Sequence, residues 1–205
     1  MAAEHYFTSA PDGELRPRRI PVRLAGRDLE VTTAGGVFSP GHVDLGTRVL
    51  LDAVPEPPAD GDLLDLGCGW GPITLALALE SPDARVWAVD VNERALELVR
   101  RNCAELGITN VNAVLPGDVP DEMRFRTIWS NPPIRIGKDE LHALLEHWLP
   151  RLESDADGWL VVQRNLGSDS LQTWLTAHFD DRLSVERVSS AKGFRVLRTT
   201  RSSNG

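Results

Sequence analysis

Asp65-Leu66-Gly67-Cys68-Gly69-Trp70-Gly71 joins an apolar run, 62–66, to a segment of helical character, 73–80, with Pro72 suited to the first helical turn. Three alternating glycines let a backbone turn tightly and come close to a ligand, because no Cβ stands in the way. A dinucleotide fingerprint is spaced GxGxxG so that a pyrophosphate can rest on the helix N-terminus, and Pro72 holds the place of the third Gly. Pyrophosphate recognition is therefore disfavoured, and a nicotinamide cofactor with it.

Outward from this loop, strand-like and helical stretches alternate. Strands are expected at 62–66, 85–89, 111–115, 127–130 and 158–163, with helices at 44–53, 73–80, 93–106, 138–152 and 170–178. The strands are continuous apolar runs, as a sheet covered by helices on both faces requires. After 170–178 the pattern breaks: 183–188 and 194–199 are joined by Ser189-Ser190-Ala191-Lys192-Gly193, too short for a crossover helix, so these strands should be antiparallel. Ahead of the alternation, 19–24 and 28–32 flank Ala25-Gly26-Arg27 and read as an accessory β-hairpin. The expected fold is an α/β, doubly wound, Rossmann-like sheet with a C-terminal antiparallel pair. The expected organisation is a hairpin and substrate-side loop over 1–42, the main domain over 43–200 and a disordered tail over 201–205.

Length and composition agree with one such domain: 205 residues, 41% hydrophobic and 25% charged. No apolar run reaches the ~20 residues needed to span a bilayer, and Met1–Tyr6 does not read as a signal peptide, so a cytoplasmic protein without membrane contact is expected. Cys68 and Cys103 have no CxxC partner and the histidines have no HxxxH pair, so no metal is expected. The net charge of −8 offers a polyanion no general attraction. A nucleic-acid partner would need a local patch, for which Arg16, Arg18, Arg19, Arg23 and Arg27, with Arg135 and Lys138, are candidates.

A cofactor with an amino-acid tail suits the loop better than NAD does. Asp65 can pair with the amino group that S-adenosyl-L-methionine carries, beside Gly67, Cys68, Gly69 and Gly71. At the end of the next strand Asp90, followed by Val91, can accept both ribose hydroxyls through its carboxylate. Asp118, after the third strand, is a candidate for the adenine amino group, with the Val119 backbone N–H for the ring.

Ser130-Asn131-Pro132-Pro133 follows the strand 127–130, which puts it at the same carboxyl edge as the glycine loop. The Asn131 side-chain carbonyl and the Pro132 backbone carbonyl can hold both hydrogens of an NH₂ group and aim its lone pair outward. Prolines fix φ, so Pro132 and Pro133 stiffen the loop and preorganise these acceptors. No histidine or cysteine nucleophile is expected. Gly137-Lys138 lacks the Ser or Thr and the first glycine of a triphosphate loop.

With both motifs in one chain, the sequence resembles the class I methyltransferases whose [DNS]PP motif methylates nitrogen. It is similar in particular to the bacterial small-subunit ribosomal RNA guanine-N2 methyltransferases and their single-domain archaeal relatives. The similarity runs from about Tyr6 to Thr199. It rests on Gly36-Val37-Phe38-Ser39, Val43-Asp44-Leu45-Gly46-Thr47, the glycine loop, Asn131-Pro132-Pro133-Ile134-Arg135-Ile136-Gly137-Lys138, Leu141-His142 and Lys192-Gly193-Phe194-Arg195-Val196-Leu197. The resemblance implies methylation of guanine N2 in ribosomal RNA or the small ribosomal subunit, with S-adenosylhomocysteine as product. It also implies that Gly36–Phe38 and Asp44–Thr47 line the pocket. Thr47 and Asn131 would then stand toward the cofactor, and Phe38, Asp44, Ile134, Arg135 and Lys138 toward the substrate.

Two departures stand out. Many relatives carry an aromatic after NPP to stack on the base, where this chain has Ile134, so stacking falls to Phe38. Bacterial relatives also carry an extra N-terminal domain, where this chain has the hairpin. Since NPP positions any planar NH₂, a protein glutamine amide or a small-molecule amine stays open as the alternative substrate.

Overall fold

A computed structural model describes residues 16–203 apart from 134 and 135. Strands β3 (Asp62–Leu66), β4 (Arg85–Val89), β5 (Val111–Val114), β6 (Phe125–Ser130) and β7 (Leu152–Gln163) run parallel. β8 (Leu183–Ala191) and β9 (Phe194–Arg201) close the seven-stranded sheet, in the order β5-β4-β3-β6-β7-β9-β8, with β9 antiparallel to both its neighbours. The helices are α1 (Leu45–Leu51), α2 (Pro72–Glu80), α3 (Glu93–Leu106), α4 (Lys138–Trp148) and α5 (Ser168–Phe179). Strand order reverses between β3 and β6, so the carboxyl ends of these two strands border the crevice where such sheets take ligands. Leu63, Leu64, Val86, Ile128, Leu160 and Val161 are fully buried, which accounts for the unbroken apolar runs.

Three expectations are corrected by chain chemistry. Pro150 has no N–H to continue a helix, so α4 stops at Trp148 and a 3₁₀ turn, Leu149–Arg151, leads into β7 at Leu152 instead of 158. The link between the last two strands shrinks to Lys192-Gly193, with φ of 51° and 83°, the sign a two-residue hairpin turn uses. β9 runs through Arg201, and the Ser202 N–H donates to Arg182 O at 3.2 Å, so order extends into the segment expected as a tail; residues 204–205 lie outside those described.

The hairpin, β1 (Pro17–Leu24) and β2 (Arg27–Ala34), is more than an accessory. Ile20, Val22, Leu24 and Val31 point inward and pack in one cluster with Trp70 of the glycine loop and Leu96 and Val99 of α3. Burying each such side chain contributes about 1.5–3 kcal/mol. Buried Asn102 of α3 adds polar ties: it accepts from Thr32 N at 2.7 Å and donates to Thr32 O at 3.0 Å and Trp70 O at 3.2 Å. A boundary at residue 42 thus cuts through a shared core. Among the described residues no helix is long and apolar enough to cross a membrane.

Candidate functional site

The glycine loop and the NPP segment meet at the crevice. Ser130 Oγ donates to Leu66 O at 2.6 Å, and a Cβ on Gly67 would touch Pro133 Cδ at 3.9 Å. Gly67, Gly69 and Gly71 have φ of 78°, 54° and 99°, which residues with a Cβ avoid. At Gly71 a Cβ would also lie 3.0 Å from Val99, so α3 can close onto the loop only because the side chain is missing.

The end of β4 fixes this loop. Val89 O accepts the N–H groups of Gly67 and Cys68 at 2.8 and 3.1 Å. Asp90 accepts Gly69 N at 2.9 Å on one carboxylate oxygen and Asn92 N at 2.9 Å on the other. Burial raises the Asp90 pKa above its ordinary value, against the pull of these N–H groups. A carboxylate has about four acceptor sites, so Asp90, which the Val91 N–H also engages, retains capacity for a ligand hydroxyl. Exposed Val91 follows it at the rim.

Asp65 differs from expectation. Its side chain is fully buried, and Oδ2 turns under α2 to accept the Thr74 N–H at 2.8 Å and Thr74 Oγ1 at 2.6 Å. Oδ1 has no hydrogen-bond partner. Burial pushes the Asp65 pKa up to about 7 despite the Thr74 bonds, with Asp90 adding to the rise. It stands behind the loop as a poorly solvated acid. A neighbouring positive charge would relieve it, as the ammonium of an amino-acid tail can.

On the facing side, Asn131 Nδ2 donates to Asp44 Oδ2 at 3.0 Å and to Thr47 Oγ1 at 3.1 Å. The same Asp44 oxygen caps α1, accepting Gly46 N at 2.7 Å and Thr47 N at 3.3 Å. Both amide hydrogens of Asn131 are thereby engaged, which leaves its carbonyl oxygen as the group available to a ligand. Phe38 stands at the mouth of the crevice, 50% exposed. Its loop is pinned by Trp70 Nε1 donating to Ser39 O at 3.1 Å and by Asn92 Nδ2 donating to Gly36 O at 2.8 Å.

The remaining candidates are spread more widely. Cys68 is buried in the loop, and desolvation, with Asp90 and Asp65 close by, raises its thiol pKa well above the usual range. Asp118 is exposed on the 3₁₀ turn Pro116–Asp118 after β5. The Val119 N–H turns back to Pro116 O at 3.4 Å and its side chain enters the core, so the free N–H expected for an adenine ring is absent. Lys138 is exposed at the start of α4, while Ile134 and Arg135 lie outside the described residues. The N-terminal arginines are partly neutralised: Arg19 pairs with Glu30 and Glu105, and Arg23 with Asp28. Among the described residues no group of His, Cys, Asp or Glu could hold a metal ion.

Asn92, Ser39 and Thr74 were not anticipated as parts of the site. Asn92 carried a signal, an Asn directly before the helix 93–106, where its side chain accepts Arg94 N at 3.0 Å. Ser39 and Thr74 act through contacts that only the folded chain creates.

Comparison with known proteins bears on this arrangement. The profile of the methyltransferase small domain matches residues 28–198. The uncharacterized Bacillus subtilis protein YbxB is 37% identical over 199 residues, covering 96% of this chain and 98% of its own. Ribosomal RNA small subunit methyltransferase C of Aeromonas hydrophila is 35% identical over 182 residues, which is 87% of this chain and 51% of that protein. The chain thus spans about half the length of that relative. A T. thermophilus 16S rRNA N2 methyltransferase, solved with AdoMet and guanosine, aligns with a TM-score of 0.79 at 25% identity, over 92% of this chain and 51% of that one.

Proposed function

The chain belongs to the methyltransferase small domain family and is an S-adenosyl-L-methionine-dependent methyltransferase, and from that premise we propose that it methylates an exocyclic amino nitrogen, guanine N2 of ribosomal RNA before others. The observation that carries this reading is the orientation of Asn131: with its NH₂ held by Asp44 and Thr47, it presents an acceptor and not a donor. Paired with the Pro132 carbonyl, it binds both hydrogens of a planar amino group and sets the nitrogen lone pair toward the glycine-loop side. The bound cofactor supplies an electrophilic sulfonium methyl, for which a conjugated amine needs alignment more than a strong base. The backbone of Gly67–Gly71 and the Asp90 carboxylate are the groups suited to hold that cofactor, with Asp65 as a counter-charge behind them. Val91 at the rim and Asp118 beyond β5 are assigned the adenine end.

Phe38 is assigned the base-stacking role that an aromatic at position 134 would otherwise fill. A base inside a duplex cannot reach such a crevice, so the target nucleotide is unstacked or lies in a single-stranded loop. Activity confined to duplex RNA would refute that point. Lys138 and Arg135 are assigned to the RNA backbone. A cytoplasmic location, where small ribosomal subunits are found, goes with this reading. The net charge of −8 favours a second one, in which the same acceptor pair holds a protein glutamine amide or a small-molecule amine.

The deciding experiment incubates the protein with tritiated S-adenosylmethionine and unmodified ribosomal RNA or small subunits, followed by nucleoside digestion and mass spectrometry. Labelled N2-methylguanosine is the expected product. Cofactor binding without RNA labelling would transfer the assignment to protein or small-molecule amines.

A further inference from the structure

At the same edge of the sheet, past the end of β7, a groove of about 290 Å³ opens between Arg164 and the hairpin tip Ser190–Arg195. Arg164, Lys192 and Arg195 line it together with Ser190, and no acidic residue does. The three cations differ in state. Arg195 is largely buried and paired with Asp169, which Arg187 shares. Arg164 and Lys192 are exposed, and among the described residues neither pairs with a carboxylate.

The backbone holds these two side chains side by side. Arg164 N–H donates to Gly193 O at 2.8 Å, continuing the register in which Gln163 faces Phe194. Lys192 sits at φ 51°, where Gly, Asn or Asp is the usual occupant, so the turn carries a cation in a conformation that disfavours its side chain. The groove also adjoins the crevice. The Phe194 ring packs on the first turn of α1 so closely that a Cβ on Gly46 would lie 2.9 Å from it, and Asp44, which holds Asn131, caps that turn.

A chain of charge −8 repels a polyanion overall, so its contacts to a nucleic-acid backbone must come from local, unpaired cations. The N-terminal arginines Arg19 and Arg23 are committed to ion pairs, whereas Arg164 and Lys192 are not. We propose that this groove binds backbone phosphates of the RNA strand flanking the target nucleotide, with Arg164 and Lys192 making the contacts over a base held at Asn131. This rests on the RNA reading above and adds to it a second site, outside the methyl-transfer crevice.

The test uses the full chain carrying Arg164→Gln and Lys192→Asn together, Asn being suited to the positive φ at 192. The KM for a ribosomal RNA fragment is measured across a salt series, beside kcat at saturating RNA and the Kd for S-adenosylhomocysteine. The expected result is an RNA KM raised roughly tenfold at moderate salt, with kcat and cofactor Kd unchanged. Each single-strand phosphate contact contributes about 0.7 to the slope of log affinity against log salt, so losing two should flatten it by about 1.4. Wild-type RNA methylation with an unaltered KM and slope in the variant would overturn the groove while leaving the RNA reading intact. A wild-type protein that labels only protein or small amines would overturn both. A variant that also loses cofactor affinity would overturn the claim of a separate RNA site, and a Lys192→Arg variant that kept the wild-type slope would support it.

Discussion

Replacing Asp65 by asparagine tests what this buried acid does. Its carboxyl ionises near 3.8 in an unfolded chain and at about 7 in the folded protein. Between those values the folded state holds a proton that the unfolded state has lost, so this group makes stability fall as pH rises through the window. Above pH 7 the whole cost is present. At 1.36 kcal/mol per pKa unit, it amounts to roughly 4 kcal/mol. Asparagine keeps an acceptor for the Thr74 N–H, bonded at 2.8 Å in the native protein, and carries no charge to desolvate. Ligand-free Asp65→Asn should therefore melt higher than wild type at pH 8. With ~2–4 °C per kcal/mol for a domain of this size, the gap should be on the order of 10 °C, and it should close toward pH 4.

The cofactor should reverse the order. An ammonium group held on the glycine loop in front of Asp65, whose Oδ1 has no partner in the fold, would lower the Asp65 pKa on binding. S-adenosylhomocysteine should then stabilise wild type much more than the variant at pH 8. Thermal unfolding followed by circular dichroism at pH 4, 6 and 8, with and without ligand, measures both effects. Parallel pH profiles for the two proteins would refute the reasoning, because they would mean that Asp65 is solvated or already compensated.

Substitutions at Asn131, Asp44, Asp90 and Phe38 separate the remaining roles. Asn131→Ala should lower kcat by about 10²-fold while leaving cofactor affinity nearly unchanged, read by single-turnover kinetics and calorimetry. Asn131→Asp should be no better, because the new carboxylate would face Asp44 across the 3.0 Å contact, and a paired Asp44→Asn change should restore part of the rate. Asp90→Ala removes acceptors for Gly69 N and Asn92 N as well as for ribose hydroxyls, so the cofactor Kd should rise at least ~10-fold in calorimetry; an unchanged Kd would exclude Asp90 from the ribose site. Phe38→Ala should raise the RNA KM while Phe38→Tyr keeps it, and equal KM values for the two would remove Phe38 from base stacking.

The parallel strands and the helix starts were legible because their signals are local. Continuous apolar runs mark strands covered on both faces, and Gly71-Pro72 and Asn92-Glu93 mark helix entries. The errors arose where position in space overrides local pattern. Pro150 lay inside an apparently periodic helix, and its missing N–H forced the early exit into β7. The hairpin looked detachable because its inward face meets α3 and Trp70, residues remote in sequence. At the site, DxGxGxG revealed which residues gather at the loop but not that the Asp65 side chain turns away beneath α2. That direction depends on Thr74, nine positions on. The bond from Asn131 to Asp44 spans 87 residues, and the resemblance put both at the pocket without indicating that they touch.

If the substrate is an amine, as proposed, that bond would make the crevice selective for it. Asp44 Oδ2 takes donors from Gly46, Thr47 and Asn131 at once, so one carboxylate oxygen both starts a helix and fixes the orientation of the Asn131 amide. A freely rotating Asn131 could offer NH₂ as readily as oxygen, and would then hold a carbonyl as well as an amine. With its NH₂ committed, a carbonyl at that position would face the Asn131 oxygen and lose its hydrogen bonds, whereas an amino group gains one. Leaving a buried polar atom unpaired costs about 1–3 kcal/mol, enough to discriminate by one to two orders of magnitude. Were guanine the substrate, as proposed, with its N2 amine and O6 carbonyl on either side of N1, that difference would select the edge to be methylated.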